Sequence, residues 1–255
     1  MNHAEQNKAL WDSRADLGMS AGTNDVRAKR LEMRAISAEI EDGMRVLDIG
    51  CGNGITAVDL ALTKKVDVIG IDHSEKMIAA AKTLAEKSLG CLTSAEFCVG
   101  SIDALPKGLG LFDVIYTERM LVNLPDWEEQ ASAIYSIGKM LRSGGKYLMV
   151  ECSMDGLSAL NDCRESVGLS RITPPEHTTY IDDASVDNLY VPGLRLERTI
   201  DFTSSYYFLS RVVNAWQAKQ LGQEPSYDAP VNGLADTLPA IGSVGQVRMW
   251  VWQAR

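Results

Sequence analysis

The chain has 255 residues, of which 45% are hydrophobic, 7% aromatic and 23% charged, a balance that excludes wholesale disorder and suits one α/β domain with embellishments. Its formal net charge of −9 argues against a nucleic-acid partner, because proteins that hold DNA or RNA neutralise several phosphates with clustered Lys and Arg. Five cysteines with no Cys-x-x-Cys spacing and no nearby histidine argue against a metal site and fit reduced thiols in a cytoplasm; with neither a charged-then-apolar leader nor a long apolar run, no export signal or membrane span is expected.

In chain order, Asn7 to Leu17 carries a partial apolar face, a break falls at Ala21-Gly22-Thr23, and Asn24 or Asp25 is placed to cap a second helix reaching Ile40. The basic group Arg27, Lys29, Arg30 and Arg34 on that helix reads as a solvated face. Arg45 to Ile49 is a short apolar strand that runs into a glycine turn, and a helix from Ile55 to Leu62 follows. The alternation repeats with a strand from Val66 to Ile71 and a helix from Glu75 to Lys87, for which Ser74 is the cap. Ala95 to Val99, Phe112 to Thr117 and Lys146 to Glu151 supply three more strands, the last two separated by a helix from Trp127 to Leu141 that Ser143-Gly144-Gly145 terminates. Beyond Glu151 the pattern loosens into a helix from Leu157 to Val167, a Pro174-Pro175 break and a short helix from Asp182 to Leu189. Strand-like alternation returns at Leu194 to Phe202 and at Gly245 to Trp252, around a helix from Ser205 to Lys219 and a Gly/Pro-rich loop. Strands alternating with helices predict a doubly wound, mostly parallel sheet, here of seven strands.

The most specific stretch is Asp48-Ile49-Gly50-Cys51-Gly52-Asn53-Gly54. Glycines at the carboxyl end of a strand let the backbone turn sharply and let a ligand approach it closely. The spacing is not the Gly-x-Gly-x-x-Gly of a dinucleotide fold, and the Lys-Ser/Thr of a nucleoside triphosphate loop is missing. Asp72 closes the next strand, where a carboxylate is placed to accept hydrogen bonds from both hydroxyls of a ribose.

An acidic residue two positions before a Gly-x-Gly-x-Gly turn, with a second acid ending the next strand, resembles the class I S-adenosylmethionine-dependent methyltransferases. Downstream, Gly100 to Pro106 resembles the adenine-binding segment of that family, Phe112 to Thr117 its fourth strand, and Leu141 to Lys146 the turn into its fifth. The resemblance implies a Rossmann-like fold with N-terminal helices, S-adenosylmethionine as cofactor and S-adenosylhomocysteine as its product. It places Gly50, Cys51 and Gly52 against the amino-acid portion of the cofactor, with Asp48 orienting the loop or the ammonium, Asp72 on the ribose and His73 and Met77 beside the adenine. Thr117 would close the site at the fourth strand. Where the family commonly has Gly-Asp at the adenine segment, Gly100 is followed here by Ser101, and the acid arrives at Asp103; Ser101, the Ile102 amide and Asp103 all stand as adenine contacts.

On this reading the chain divides into an N-terminal helical cap over 1–42, a cofactor-binding core over 43–151, and acceptor-side insertions over 152–193 and 203–243. Methyl transfer from a sulfonium is an in-line displacement that asks mainly for alignment and exclusion of water. Residues leaving the carboxyl ends of the strands are therefore the acceptor candidates. Glu118 reads as base or cation anchor and Arg119 as anion clamp, unless the two pair with each other. His177, on a stiffened loop, and Tyr206 are further catalytic candidates, with Trp11 and Tyr207 as substrate-binding ones. The expected activity is methylation of an oxygen, nitrogen or carbon atom of a small molecule, without metal. The alternatives are a cofactor-binding protein without transferase activity and a related enzyme using a nucleoside cofactor differently.

Overall fold

The computed structural model describes residues 3–90 and 94–255, so Cys91 lies outside the described residues. Strands β1 (Arg45–Ile49), β2 (Asp67–Asp72), β3 (Ala95–Val99), β4 (Phe112–Glu118), β5 (Leu141–Cys152), β6 (Leu194–Ile200) and β7 (Val247–Ala254) form one sheet in the order β3-β2-β1-β4-β5-β7-β6. The β1–β2, β2–β3, β1–β4 and β4–β5 pairs are parallel, and β7 runs antiparallel between β5 and β6. This is the expected doubly wound, mostly parallel seven-stranded sheet. Its central strands are buried on both faces, which is why Val46, Leu47, Ile49, Val114, Ile115 and Tyr116 form an apolar run rather than an alternation. Trp250 and Trp252 of β7 are buried among them, so the late strand completes the core.

Around the sheet lie α1 (His3–Arg14), α2 (Val26–Ala38), α3 (Ile55–Thr63), α4 (Glu75–Leu89), α5 (Trp127–Gly138), α6 (Met154–Ser166), α7 (Asp183–Asp187), α8 (Ser204–Tyr207), α9 (Asn214–Gln220) and α10 (Pro230–Ala235). No helix of the described residues is long and apolar enough to cross a membrane. Asp25 is the cap of α2, accepting from the Ala28 amide at 3.1 Å. Between α1 and α2 the chain makes a 3-10 segment, Ala15–Ser20, kinked at Gly18.

Several boundaries differ from the sequence reading. The helix expected to reach Leu141 stops at Gly138, because Leu141 already pairs with Phe112 of β4 and β5 begins there. The helix expected from Leu157 starts three residues earlier, at Met154, where the Ser153 hydroxyl accepts from the Gly156 amide at 2.8 Å. The Ser205 to Lys219 helix is interrupted by a π segment, Phe208–Val213, and the Gly/Pro-rich loop contains α10, with Pro230 at its first position. The basic group on α2 is a solvated face only in part, at the exposed Arg30 and Arg34. Lys29 turns inward to Glu118, while Arg27 and Arg34 both reach Asp236 beside α10.

The order of strands reverses at β1, whose neighbours are β2 on one side and β4 on the other. Connections from β1 and β4 therefore leave in opposite directions and open a crevice above their carboxyl ends. The insertion between β6 and β7 does not cover that crevice directly. It grips α2 instead: the Tyr206 hydroxyl donates to Asp25 Oδ1 at 2.7 Å, and the Arg211 guanidinium meets Asp25 Oδ2 at 2.6 Å.

Candidate active site

A cavity of about 400 Å³ occupies the crevice. Gly50 and Gly52 both adopt left-handed φ, 76° and 53°. A Cβ on Gly50 would lie 2.4 Å from Met120 Cγ, so the close approach as well as the conformation requires glycine. The Gly50 and Cys51 amides donate to the Ile71 carbonyl at 2.8 and 2.9 Å, which ties the turn to the end of β2.

Asp72 sits there with Oδ2 accepting from the Gly52 amide at 2.9 Å and Oδ1 from the Ser74 amide at 2.8 Å. Burial raises its carboxyl against the pull of those two hydrogen bonds. The adjoining Ser74 hydroxyl accepts from the Met77 amide as the cap of α4 and donates to Asp12 of α1 at 2.5 Å, so the N-terminal cap is fastened to the same corner. Gly50, Cys51, Gly52, Asp72, His73 and Met77 all line the cavity, as do Ser101, Ile102 and Asp103.

Asp48 and Thr117 do not. Asp48 is buried behind the turn, where its Oδ2 accepts from the Tyr116 hydroxyl at 2.7 Å, and burial pushes its carboxyl up to about 8. Thr117 points into the sheet core and shares a 2.9 Å hydrogen bond with the Tyr147 hydroxyl. Burial of β4 on both faces accounts for the placement of Thr117: Tyr116 and Thr117 both lie inside the fold, and the chain reaches the cavity only at its next residue.

That next stretch forms a charged wall. Lys29 Nζ lies 2.7 Å from Glu118 Oε2, and the Thr56 hydroxyl donates to the same oxygen at 2.7 Å. Burial alone would raise the Glu118 carboxyl, but Lys29 and Thr56 outweigh it and hold the group below its ordinary range. Glu118 and Arg119, expected as possible partners of each other, pair instead with successive turns of α2: Arg119 donates to Glu32 Oε1. Successive residues of a strand point to opposite faces, and Arg119 escapes that rule through a left-handed φ of 55°, rare for a residue with a side chain. The strained residue brings both side chains to the same helix, at the site where strain of this kind concentrates. Glu32 is 1% exposed, and burial pushes its carboxyl up to about 7 against the attraction of Arg119.

The N-terminal segment closes the other side. Trp11, Met19, Gly22 and Thr23 line the cavity, and the Asn7 amide donates to the Asn123 carbonyl at 3.0 Å across its mouth. His177 is exposed on its loop and lines no part of the cavity. Tyr206 and Tyr207 are buried, edge to face with ring centroids 6.0 Å apart, and both lie outside the wall. Neither 152–193 nor 203–243 contributes a lining residue; the wall ends at Glu129.

Lys29, Glu32 and Asn7 were missed by sequence reasoning. The three-residue spacing of Lys29 and Glu32 on one helix face was the available signal, hidden among neighbouring arginines.

A family profile described as a methyltransferase domain matches residues 40–179. The sterol 24-C-methyltransferase of Pneumocystis carinii is 31% identical over 120 residues, which are 47% of this chain and 31% of that protein. The ubiquinone biosynthesis O-methyltransferase of Marinobacter nauticus is 29% identical over 135 residues, 53% of each chain. The chain thus spans between about a third and about half of the length of these curated relatives. Among solved structures, the magnesium protoporphyrin IX methyltransferase of Synechocystis PCC 6803 with bound S-adenosylmethionine shares the fold with a TM-score of 0.61 at 15% identity, covering 100% of this chain and 98% of that one.

Proposed function

Because the chain belongs to the class I S-adenosylmethionine-dependent methyltransferases, we propose that it transfers a methyl group from S-adenosylmethionine to an oxygen, nitrogen or carbon atom of a small molecule by in-line displacement. The observation that carries this reading is the union of the Gly50–Gly52 turn, Asp72 and the unpartnered Glu118 Oε1 in one cavity. A buried carboxylate oxygen without a donor is costly unless a ligand supplies one. An ammonium group is a fitting donor, because Lys29 and Thr56 keep Glu118 ionised while occupying only its other oxygen.

When bound, the cofactor supplies the electrophilic sulfonium methyl. Asp72, held in place by two backbone amides, takes the ribose; Met77 and the Ser101–Asp103 segment flank the adenine; Glu118 holds the ammonium. Trp11, Met19 and the Asn7–Asn123 bridge shield the cavity and exclude water. The net charge of −9 supports a small-molecule acceptor over a nucleic acid, and the free cysteines Cys51, Cys98, Cys152 and Cys163 support a reducing, cytoplasmic setting.

The test is incubation of the purified protein with S-adenosylmethionine and a small-metabolite extract, read by mass spectrometry. Accumulation of S-adenosylhomocysteine with matching methylated products supports the assignment. Cofactor binding with no turnover across fractionated extracts favours a binding protein without transferase activity.

A further inference from the structure

The two ion pairs of the charged wall differ in what they leave open. In the first, Lys29 and Thr56 hold Glu118 Oε2 and only a carboxylate oxygen remains, which suits a cationic donor. In the second, both partners retain an unused group: Arg119 Nε is buried with no hydrogen-bond partner, and Glu32 is engaged through Oε1 alone among the described residues. Both residues line the cavity, and a free donor on one with a free acceptor on the other matches a group that both accepts and donates a hydrogen bond.

We propose that the Glu32–Arg119 pair is the acceptor subsite, that it takes a phenolic or enolic hydroxyl, and that Glu32 is the base that removes the hydroxyl proton. The inference rests on the methyltransferase reading and narrows its acceptor from oxygen, nitrogen or carbon to oxygen. A hydroxyl oxygen has two lone pairs: it can accept from Arg119 and still present the second to the methyl carbon. A neutral amine has one, so the same hydrogen bond would block its attack, and a carbon atom cannot itself be held by either group, whereas the hydroxyl oxygen is held by both. The neighbouring wall is apolar at Trp11, Met19, Met120, Leu124 and Pro125, which suits the flat body of an aromatic or conjugated hydroxyl compound.

In the reaction, the O–H proton passes to Glu32, the oxygen–carbon bond forms as the carbon–sulfur bond breaks, and the sulfonium's positive charge is discharged. The products are a methyl ether, neutral S-adenosylhomocysteine and protonated Glu32, which returns its proton to solvent as the cavity empties. Glu118, locked by Lys29, is unsuited to this role. Glu32 suits it, since its proton affinity stands near neutral pH, the range in which a general base works best. The charges facing Glu32 are Arg119 and Glu118 from the end of β4 and Lys29 from its own helix.

The first readout is spectroscopic. 4-Nitrophenol is titrated into protein saturated with S-adenosylhomocysteine, and its phenolate absorbance is followed against pH. In Glu32→Gln the Arg119 charge is uncompensated, so the bound phenol should ionise at a pH lower by about one unit or more than in the unaltered protein. Failure of 4-nitrophenol to bind, or an identical ionisation in the two proteins, overturns the proposal. The second readout needs no variant: 2-aminophenol offers both nucleophiles in one molecule, and 2-methoxyaniline is the expected product. Formation of N-methyl-2-aminophenol, or no product from protein that binds the cofactor, overturns the oxygen assignment. If S-adenosylhomocysteine itself fails to bind, the methyltransferase reading falls instead. With the hydroxyl substrate, Glu32→Gln should lower kcat by about 10²-fold or more with little change in KM, and abolish the acid limb of the rate profile near neutral pH.

Discussion

Replacing Lys29 by Met strips Glu118 of its cation while preserving the length of the side chain. Glu118 is 7% exposed in its side chain, and Thr56 remains as a hydrogen-bond donor. Breaking a buried ion pair by removing one partner costs about 3–5 kcal/mol; the 19% exposure of Lys29 and the retained Thr56 contact place this case near about 3 kcal/mol. Glu118→Gln alone leaves a lysine able to reach solvent and should cost about 1–2 kcal/mol, and the double variant about 1 kcal/mol, giving a coupling energy of about 3–4 kcal/mol. The pH dependence has a definite sign. In the unaltered protein the Glu118 carboxyl lies below its unfolded value, so its stabilisation is present above the ordinary carboxylate range and is lost as pH falls through the folded value. In Lys29→Met burial dominates and raises the group, so a penalty appears as pH rises above the unfolded value. The stability gap between the two proteins should therefore be widest near neutrality and narrow as pH falls toward and through the ordinary carboxylate range. Urea unfolding followed by tryptophan fluorescence across pH 4 to 8 measures it. A gap below about 1 kcal/mol, or one that does not change with pH, refutes the buried ion-pair account.

Asp72→Ala should weaken S-adenosylmethionine binding by about 1–3 kcal/mol, the scale for lost hydrogen bonds to a charged group, as read by calorimetry; an unchanged dissociation constant in a folded variant rejects the ribose role. Asp25→Ala removes the cap of α2 and the partner of half-buried Arg211 together, so a loss of about 3 kcal/mol in chemical denaturation is expected, with weakened cofactor binding because α2 carries Lys29. Tyr206→Phe removes a single buried hydrogen bond to the same carboxylate and should cost about 1 kcal/mol by the same assay. His177→Ala, at an exposed loop position, should leave stability within about 0.5 kcal/mol and turnover unchanged; a large loss of kcat would return this histidine to the site.

What was readable in the sequence was local in chain distance. The β1 strand, its glycine turn and Asp72 lie close enough together that periodicity and turn chemistry fix their arrangement, and they anchor the cofactor side of the cavity. The charged wall depends on packing between α2 and the end of β4, and no local pattern shows which of the basic residues on α2 turns inward. The left-handed backbone at Arg119 has no sequence signal, since such positions usually belong to glycine or asparagine. His177 and Tyr206 looked chemically apt, but the insertions that carry them pack outside the cavity, and Tyr206 serves the fold by holding Asp25. Pro230 did mark the start of α10, although its glycine-rich surroundings resembled a loop. The π segment within the 204–220 helical run left no comparable mark.

The central claim is tested most directly by calorimetric titration of the purified protein with S-adenosylmethionine and S-adenosylhomocysteine, with NADH as control. One-to-one binding of the two sulfur compounds and none of NADH is the predicted result. Binding of NADH alone, or of no ligand, would contradict the cofactor assignment.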